Sequence, residues 1–187
     1  MQEREWQWLQ QAAEGDGDAF ARIVERHQAR LLRLCDRLLG DRGAAEEAVQ
    51  EVFLRLYRNA DRLEPRGQLF TLLYRMATNF CLNRLRRRRL VRFLPLVAER
   101  DGVEVSIEPT DDGPDPHRRL DDRERWRRMR RRIERLPPAQ RTALVLVRFE
   151  GLSYRQAAEA LGIGIGALES RLVRAMRTLE QEEGDER

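Results

Sequence analysis

Residues 136–180 read LPPAQRTALVLVRFEGLSYRQAAEALGIGIGALESRLVRAMRTLE. This segment predicts three short helices, the last two of which form a helix-turn-helix. Gly151 and Gly162 suit the left-handed backbone conformation in which helices commonly end. Ser153, with Gln156 three residues later, matches the capping box that begins a helix. These signals predict the helix boundaries from residues that are close together in sequence.

The last helix of this segment has an apolar side and a basic side. Its apolar residues recur at helical spacing and are expected to pack on neighbouring helices; they are Leu168, Leu172, Ala175, Met176 and Leu179. The other side carries Ser170, Arg171, Arg174 and Arg177. A helix of this kind can lie in the major groove of DNA, although exposed arginines are also common on solvated helices. The capped helix, the glycine turn and the basic helix together favour DNA binding.

Composition excludes several other classes of protein. The chain has 187 residues, with 36 basic residues, all of them arginine, 32 acidic residues and a net charge of +4. Cys35 and Cys81 stand at apolar helical positions and are expected to be buried free thiols. His27 and His117 are isolated, so the sequence predicts no metal site, no cofactor and no catalytic constellation. The polar N-terminus and the lack of a long apolar run predict a cytoplasmic protein without membrane insertion.

Four further helices are predicted ahead of residue 90. Periodicity places Trp6, Leu9 and Ala13 on the inner face of the first helix. The third helix is predicted to carry Glu46 and Glu47 in its first turn, where carboxylates interact favourably with the positive end of the helix dipole. The first helix covers approximately residues 3–14, and the second is capped by Asp16 or Asp18 and ends near residue 39. The third covers approximately residues 44–59 and the fourth residues 68–89. The fourth helix carries Leu69, Leu73, Met76 and Phe80 on one face.

Residues 90–117 change in character. A short apolar piece is followed by AERDGVEVSIEPTDDGPDP, which is acidic and rich in proline and glycine. A strongly charged helix then opens near residue 121 or 122 and ends near residue 135. The sequence therefore predicts an all-α protein with two small helical domains, residues 1–92 and 118–187, joined by a flexible acidic linker at residues 93–117.

Several segments of the sequence resemble the bacterial sigma-70 family, specifically its extracytoplasmic-function (ECF) group. LPPAQR, EGLSYRQAAEALG and GALESRLVRA resemble sigma region 4, while AEEAVQEVFLRLYRN and FTLLYRMATNFCLNRLRRRR resemble sigma region 2. The resemblance implies a region 2 helical bundle and a region 4 helix-turn-helix. It also implies a promoter-specificity subunit that binds core RNA polymerase and promoter DNA, directs transcription initiation and is controlled by an anti-sigma factor.

The resemblance also assigns candidate binding residues. Arginine suits phosphates, and asparagine suits base edges through its paired donor and acceptor. Region 4 would read the minus-35 element through Arg155, Ser170, Arg171, Arg174 and Arg177. Region 2 would read and melt the minus-10 element through Arg75, Asn79, Asn83, Arg86 and Arg87, with the loop at residues 60–67 holding an extruded base. Core polymerase would contact Glu47, Gln50 and Glu51, which can share one exposed helix face.

The chain departs from the family pattern at three places: at Leu72, at Glu169, and in the turn where Gly164 and Gly166 flank Ile165 and the family commonly has a proline. Leu72 stands where the family usually has tryptophan, which removes a stacking surface. Glu169 stands where a basic or small polar residue is common, so it either points away from the DNA or discriminates a base such as cytosine. Two other functions stay open: a stand-alone helix-turn-helix regulator that binds DNA as a dimer, and a sigma-like helical interaction module with weakened DNA binding. An enzyme is least favoured.

Overall fold

The structure, a computed structural model, describes residues 2–65, 67–93 and 127–185. These residues form eight α-helices and no strand, which confirms the all-α prediction. The predicted linker, apart from residue 93, and the predicted start of the charged helix lie outside the described residues. The helices are α1 Gln2–Ala13, α2 Gly17–Leu39, α3 Arg42–Arg58, α4 Leu69–Phe93, α5 residues 127–135, α6 Pro138–Leu144, α7 Tyr154–Leu161 and α8 Ile165–Asp185, with a 3-10 turn at Ala60–Arg62.

Aspartates begin α2 and α3. Asp16 accepts a 3.0 Å hydrogen bond from the backbone N–H of Ala19, so Asp16, and not Asp18, caps α2. Asp41 caps α3 in the same way through the N–H of Ala44, and that bond lowers the pKa of the Asp41 carboxyl. Because α3 begins at Arg42, Glu46 and Glu47 lie beyond its first turn, and their predicted place there is wrong. The capping carboxylate, instead of the two glutamates, meets the helix dipole.

The inner face of α1 differs slightly from the predicted one. Trp6, Leu9 and Ala12 are buried, whereas Ala13 is exposed. Ala13 is the last residue of the helix and lies past the surface that packs on α2. Glu5 completes the buried face, where its carboxylate pairs with Arg26 of α2 at 2.5 Å and lies 3.5 Å from the His27 ring.

The helix-turn-helix segment folds largely as predicted. Ser153 caps α7 in a complete capping box with Gln156, and Gly162 ends that helix with a left-handed φ of +63°. Residues Val145–Phe149 continue α6 in the wider π spacing. The buried side of α8 carries Leu168, Leu172, Ala175 and Leu179. Met176 is 38% exposed, so its assignment to that side is wrong; it lies 100° around the helix from Ala175, at the edge of the packed face.

One continuous core runs through both predicted domains. Buried apolar side chains of α1–α4 form a single cluster with those of α5–α8. The contacts between the two halves involve α4 with α7, and α2 with α6 and the π turn. Cys35 and Cys81 are buried free thiols in this core, as predicted, and the hydrogen bond between them, together with burial, raises the pKa of the Cys35 thiol.

Candidate nucleic-acid interface

A polar stripe runs along the outer side of α4. Arg75 and Asn79 are exposed, and the same holds for the other predicted minus-10 residues, Asn83, Arg86 and Arg87. The stripe extends about 16 Å from Arg75 to Arg86 at the 1.5 Å rise of an α-helix. The opposite side of α4 is buried through Leu69, Leu73, Tyr74, Ala77 and Cys81, while Met76 and Phe80, predicted to lie on that face, are only half-buried.

The loop before α4 borders a pocket with a volume of about 560 Å³. The Trp6 indole N–H donates a 2.9 Å hydrogen bond to the carbonyl oxygen of Gly67, so α1 fixes the position of this loop. Leu72 lines the pocket where the family pattern has a stacking tryptophan, and Trp6 supplies an aromatic side chain to the same pocket from another helix. The complete lining is Trp6, Arg62, Leu63, Glu64, Gln68, Thr71, Leu72, Arg75 and Glu159.

The basic side of α8 is accessible. Arg174 and Arg177 are exposed and Arg171 is half-buried, while Ser170 beside them and Arg155 on α7 are exposed as well. Glu169 is also exposed but lies about 140–160° around the helix from Arg174 and Arg171, given 3.6 residues per turn. The carboxylate and these two guanidinium groups therefore occupy different sides of α8.

The predicted polymerase residues share one side of α3. Glu47 and Gln50 are exposed and Glu51 is half-buried. Arg84 of α4 pairs with Glu47 at 2.6 Å, and Arg55 pairs with Glu51 at 2.5 Å. These pairs hold the two carboxylates near the helix surface without burying them.

Leu54 and Tyr57 on the same side of α3 were missed by the sequence reasoning. Each is 48% exposed, a large apolar surface next to acidic residues. They follow Gln50 by four and seven positions, so extending the helical spacing by two turns would have found them. Exposed apolar and aromatic side chains of this kind are typical of protein interfaces.

Glu150 connects the helix-turn-helix to α2 and α4. Its carboxylate pairs with Arg37 at 2.5 Å and accepts a 2.8 Å hydrogen bond from the Tyr74 hydroxyl. Burial, and secondarily the charge of Glu150, raises the pKa of Tyr74, which keeps the hydroxyl protonated as a donor. Within the described residues no group of metal-ligating side chains is present, and no helix there is long and apolar enough to cross a membrane.

Two family models match the two halves of the chain. Sigma-70 region 2 matches residues 23–91, and Sigma-70, region 4 matches residues 126–179. The chain is 32% identical to the ECF RNA polymerase sigma factor SigW of Bacillus subtilis over 175 residues, which cover 93% of this chain and 94% of SigW. The chain belongs to the ECF RNA polymerase sigma factors.

Two solved structures with a similar arrangement of helices are each of a complex with another protein. RpoE of Bartonella quintana, in complex with the anti-sigma factor NepR, is 25% identical to this sigma factor, with a TM-score of 0.67 over 90% of this chain and 98% of RpoE. CnrH, in complex with the cytosolic domain of CnrY, is 21% identical, with a TM-score of 0.69 over 98% and 99% of the two chains. The second likeness concerns the fold alone.

Proposed function

We propose that this sigma factor is the promoter-specificity subunit of a bacterial RNA polymerase. It binds the core enzyme, recognises minus-35 and minus-10 promoter elements and directs transcription initiation. The family match over both halves of the chain carries this proposal. Its basic helix-turn-helix and the polar stripe on α4 support it, because a bipartite promoter needs two separate reading surfaces. The division into residues 1–92, a linker at 93–117 and residues 118–187 belongs to the same proposal.

The exposed stripe of α4 is proposed to read the minus-10 element. Asn79 and Asn83 would contact base edges, while Arg75, Arg86 and Arg87 would contact phosphates. The adjoining pocket would receive an extruded base, whose unstacking costs a few kcal/mol and is offset by stacking and hydrogen bonds. Trp6 supports this role because it brings an aromatic ring to the pocket wall in a chain where Leu72 lacks one.

The basic side of α8 is proposed to read the minus-35 element. Arg171 and Arg174 are one helical turn apart and can enter the same groove, with Ser170 and Arg177 on the flanks. Arg155 on α7 would contact the DNA backbone, because the first helix of such a motif crosses it. Glu169 lies on another side of α8, which supports the alternative in which it points away from the DNA.

The exposed side of α3 is proposed to bind core polymerase. Glu47, Gln50 and Glu51 would supply polar contacts, and Leu54 with Tyr57 would supply the apolar centre of the interface. An anti-sigma factor is the other expected protein partner, as it is for RpoE in its complex with NepR. We infer a non-enzymatic role in the bacterial cytoplasm, since the proposed work is binding and positioning at a promoter.

Run-off transcription with purified bacterial core polymerase on a genomic library tests the function. We expect discrete transcripts that require both the chain and the core enzyme and share two upstream elements. Charge reversal on α3, such as Glu47→Arg with Glu51→Arg, should abolish them, whereas Glu25→Arg on the exposed side of α2 should not. Tight, sequence-specific duplex binding by the chain alone, without polymerase-dependent transcripts, would favour the stand-alone regulator instead.

A further inference from the structure

Trp6 of α1 forms part of the pocket beside the loop that precedes α4. Trp6 is only 7% exposed, so the core holds most of its ring and the remainder borders the pocket. Among the described residues that line this pocket, Trp6 alone is aromatic. Leu72, which lines the pocket from α4, is apolar but has no ring that could stack on a base. A base that enters the pocket would therefore meet an aromatic ring supplied by α1.

The indole N–H of Trp6 holds the backbone of this loop. It donates a 2.9 Å hydrogen bond to the carbonyl oxygen of Gly67. Gly67 stands between Glu64 and Gln68, which both line the pocket, so the bond determines where the loop forms the pocket wall. Loss of one such hydrogen bond typically changes an equilibrium by roughly two- to tenfold. The position of the loop therefore depends measurably on the indole donor.

Contacts with α2 in turn hold Trp6 in place. The carboxylate of the preceding residue, Glu5, pairs with Arg26 of α2 at 2.5 Å and lies 3.5 Å from the His27 ring. Leu9, about one turn further along α1, is 1% exposed. Because residues on both sides of Trp6 are fixed in the core, its indole N–H has a defined position to which the loop is bound. The geometry of the pocket thus depends on α1, although Trp6 and the loop residue it binds are 61 positions apart in sequence.

We propose that Trp6 is a positioning residue for promoter opening. Its N–H holds the loop at Gly67, and its ring is the aromatic wall on which the extruded base rests, in an offset or edge-to-face contact. This inference rests on the proposed function, because the ligand is a base of the minus-10 strand. It gives α1 a part in that function, since the residues proposed to read the minus-10 element all lie on α4. Arg75 belongs to both the α4 stripe and the pocket, and it holds the phosphate next to the extruded base.

Base extrusion by the holoenzyme with three variants of the full chain tests the proposal. Trp6→Phe keeps an aromatic ring without the N–H donor, Trp6→Leu removes both, and Trp8→Leu removes an indole from the same helix outside the pocket lining. The probe is a promoter found by run-off transcription, with 2-aminopurine at each minus-10 position in turn, because its fluorescence rises when the base leaves the stack. We expect a loss of opening of at least about tenfold for Trp6→Leu, roughly two- to tenfold for Trp6→Phe and less than about twofold for Trp8→Leu. Formation of the closed complex, measured by gel shift, should stay close to that of the parent in all three.

A compensating change separates this role from a purely structural one. Leu72→Trp places an indole in the same pocket from α4. Combined with Trp6→Leu, it should restore opening to about the level of Trp6→Phe, which likewise has a ring but no donor to Gly67. The urea midpoint should not recover in the double variant, because Leu72→Trp does not refill the space that Trp6 leaves in the core. Parental opening by Trp6→Leu, an equal loss in Trp8→Leu, or an unrescued double variant overturns the proposal. Absence of polymerase-dependent transcripts from the parent chain would instead overturn the proposed function.

Discussion

Arg171 and Glu169 are two residues apart in sequence and therefore lie on nearly opposite sides of α8. Arg171 shares a side with Arg174, whereas Glu169 lies beside the exposed apolar residues Ile165 and Met176. A guanidinium that pairs with guanine should contribute roughly 1–3 kcal/mol of discrimination at one base position. One that contacts only phosphate should contribute equally to all sequences and to the salt dependence of binding.

We predict that Arg171→Ala relaxes the preference at one minus-35 position and weakens holoenzyme binding by about 1–3 kcal/mol. Glu169→Ala should be close to neutral, because its carboxylate lies on another side of the helix. The measurement is holoenzyme binding to a promoter panel randomised at minus 35, at two salt concentrations. If Arg171→Ala and Arg174→Ala both match the parent on every sequence, α8 is not the minus-35 reader.

His27 gives the stability of the fold a pH dependence. Burial lowers its pKa below the ordinary value of 6.5, Arg26 and Arg30 lower it further, and Glu5, 3.5 Å away, raises it in part. The unfolded chain therefore binds this proton more readily than the folded chain does. Stability is retained above about pH 6.5 and falls as the pH drops below that value.

We expect the urea midpoint of the parent to be lower at pH 5.5 than at pH 7.5. His27→Gln should show a smaller difference, because it removes the proton uptake that accompanies unfolding at this site. The other histidine, His117, remains in both proteins and serves as an internal control. Equal pH dependence in parent and variant would show that His27 titrates alike in the folded and unfolded chains.

At the scale of one element, α7 depends on its capping box. Ser153 and Gln156 satisfy each other's backbone N–H groups at the start of a helix of eight residues. We predict that Ser153→Ala lowers the free energy of unfolding by about 0.5–2 kcal/mol. Ser170→Ala, at an exposed position within α8, should change it by less than about 0.5 kcal/mol. Chemical denaturation of the two variants measures the difference, and equal losses would argue against the cap.

The stripe on α4 is a property of the whole helix, since its members recur at steps of three or four residues. We predict that Asn79→Ala and Asn83→Ala impair promoter opening more than formation of the closed complex. Both are exposed, so neither change removes a core contact. Permanganate footprinting reports opening, and Gln28→Ala, an exposed amide on α2, is the matched control. Normal strand opening in both α4 variants would exclude this stripe as the minus-10 reader.

For the whole molecule, each basic surface is small and the two are separate. We predict weak binding of the free chain to duplex DNA, with specificity gained only in the presence of core polymerase. The Glu159 carboxylate of α7 lines the same pocket as Arg75. Its negative charge repels a phosphate backbone, which strengthens the expectation of weak DNA binding. Gel-shift titration at physiological salt, with and without core enzyme, measures it. Nanomolar specific binding by the chain alone would contradict the prediction.

Local signals were sufficient to predict the helices. Asp16, Ser153 and Gly162 each determine a helix boundary through contacts with residues no more than four positions away. The 3.6-residue period correctly separated the basic side of α8 from its buried side. It failed at Met176 and Ala13, which lie at the edge or the end of a packed face, where the neighbouring helix decides exposure.

Only the tertiary structure showed which helix faces meet. Tyr74 reaches Glu150 across 76 positions, and Trp6 reaches the carbonyl of Gly67 across 61. Glu159 of α7 lines the same pocket as Trp6 of α1 and Arg75 of α4. Periodicity identifies a face that must be buried or can bind, but it carries no information about its partner. That choice depends on shape and charge complementarity between elements far apart in sequence, which exists only once the chain is packed.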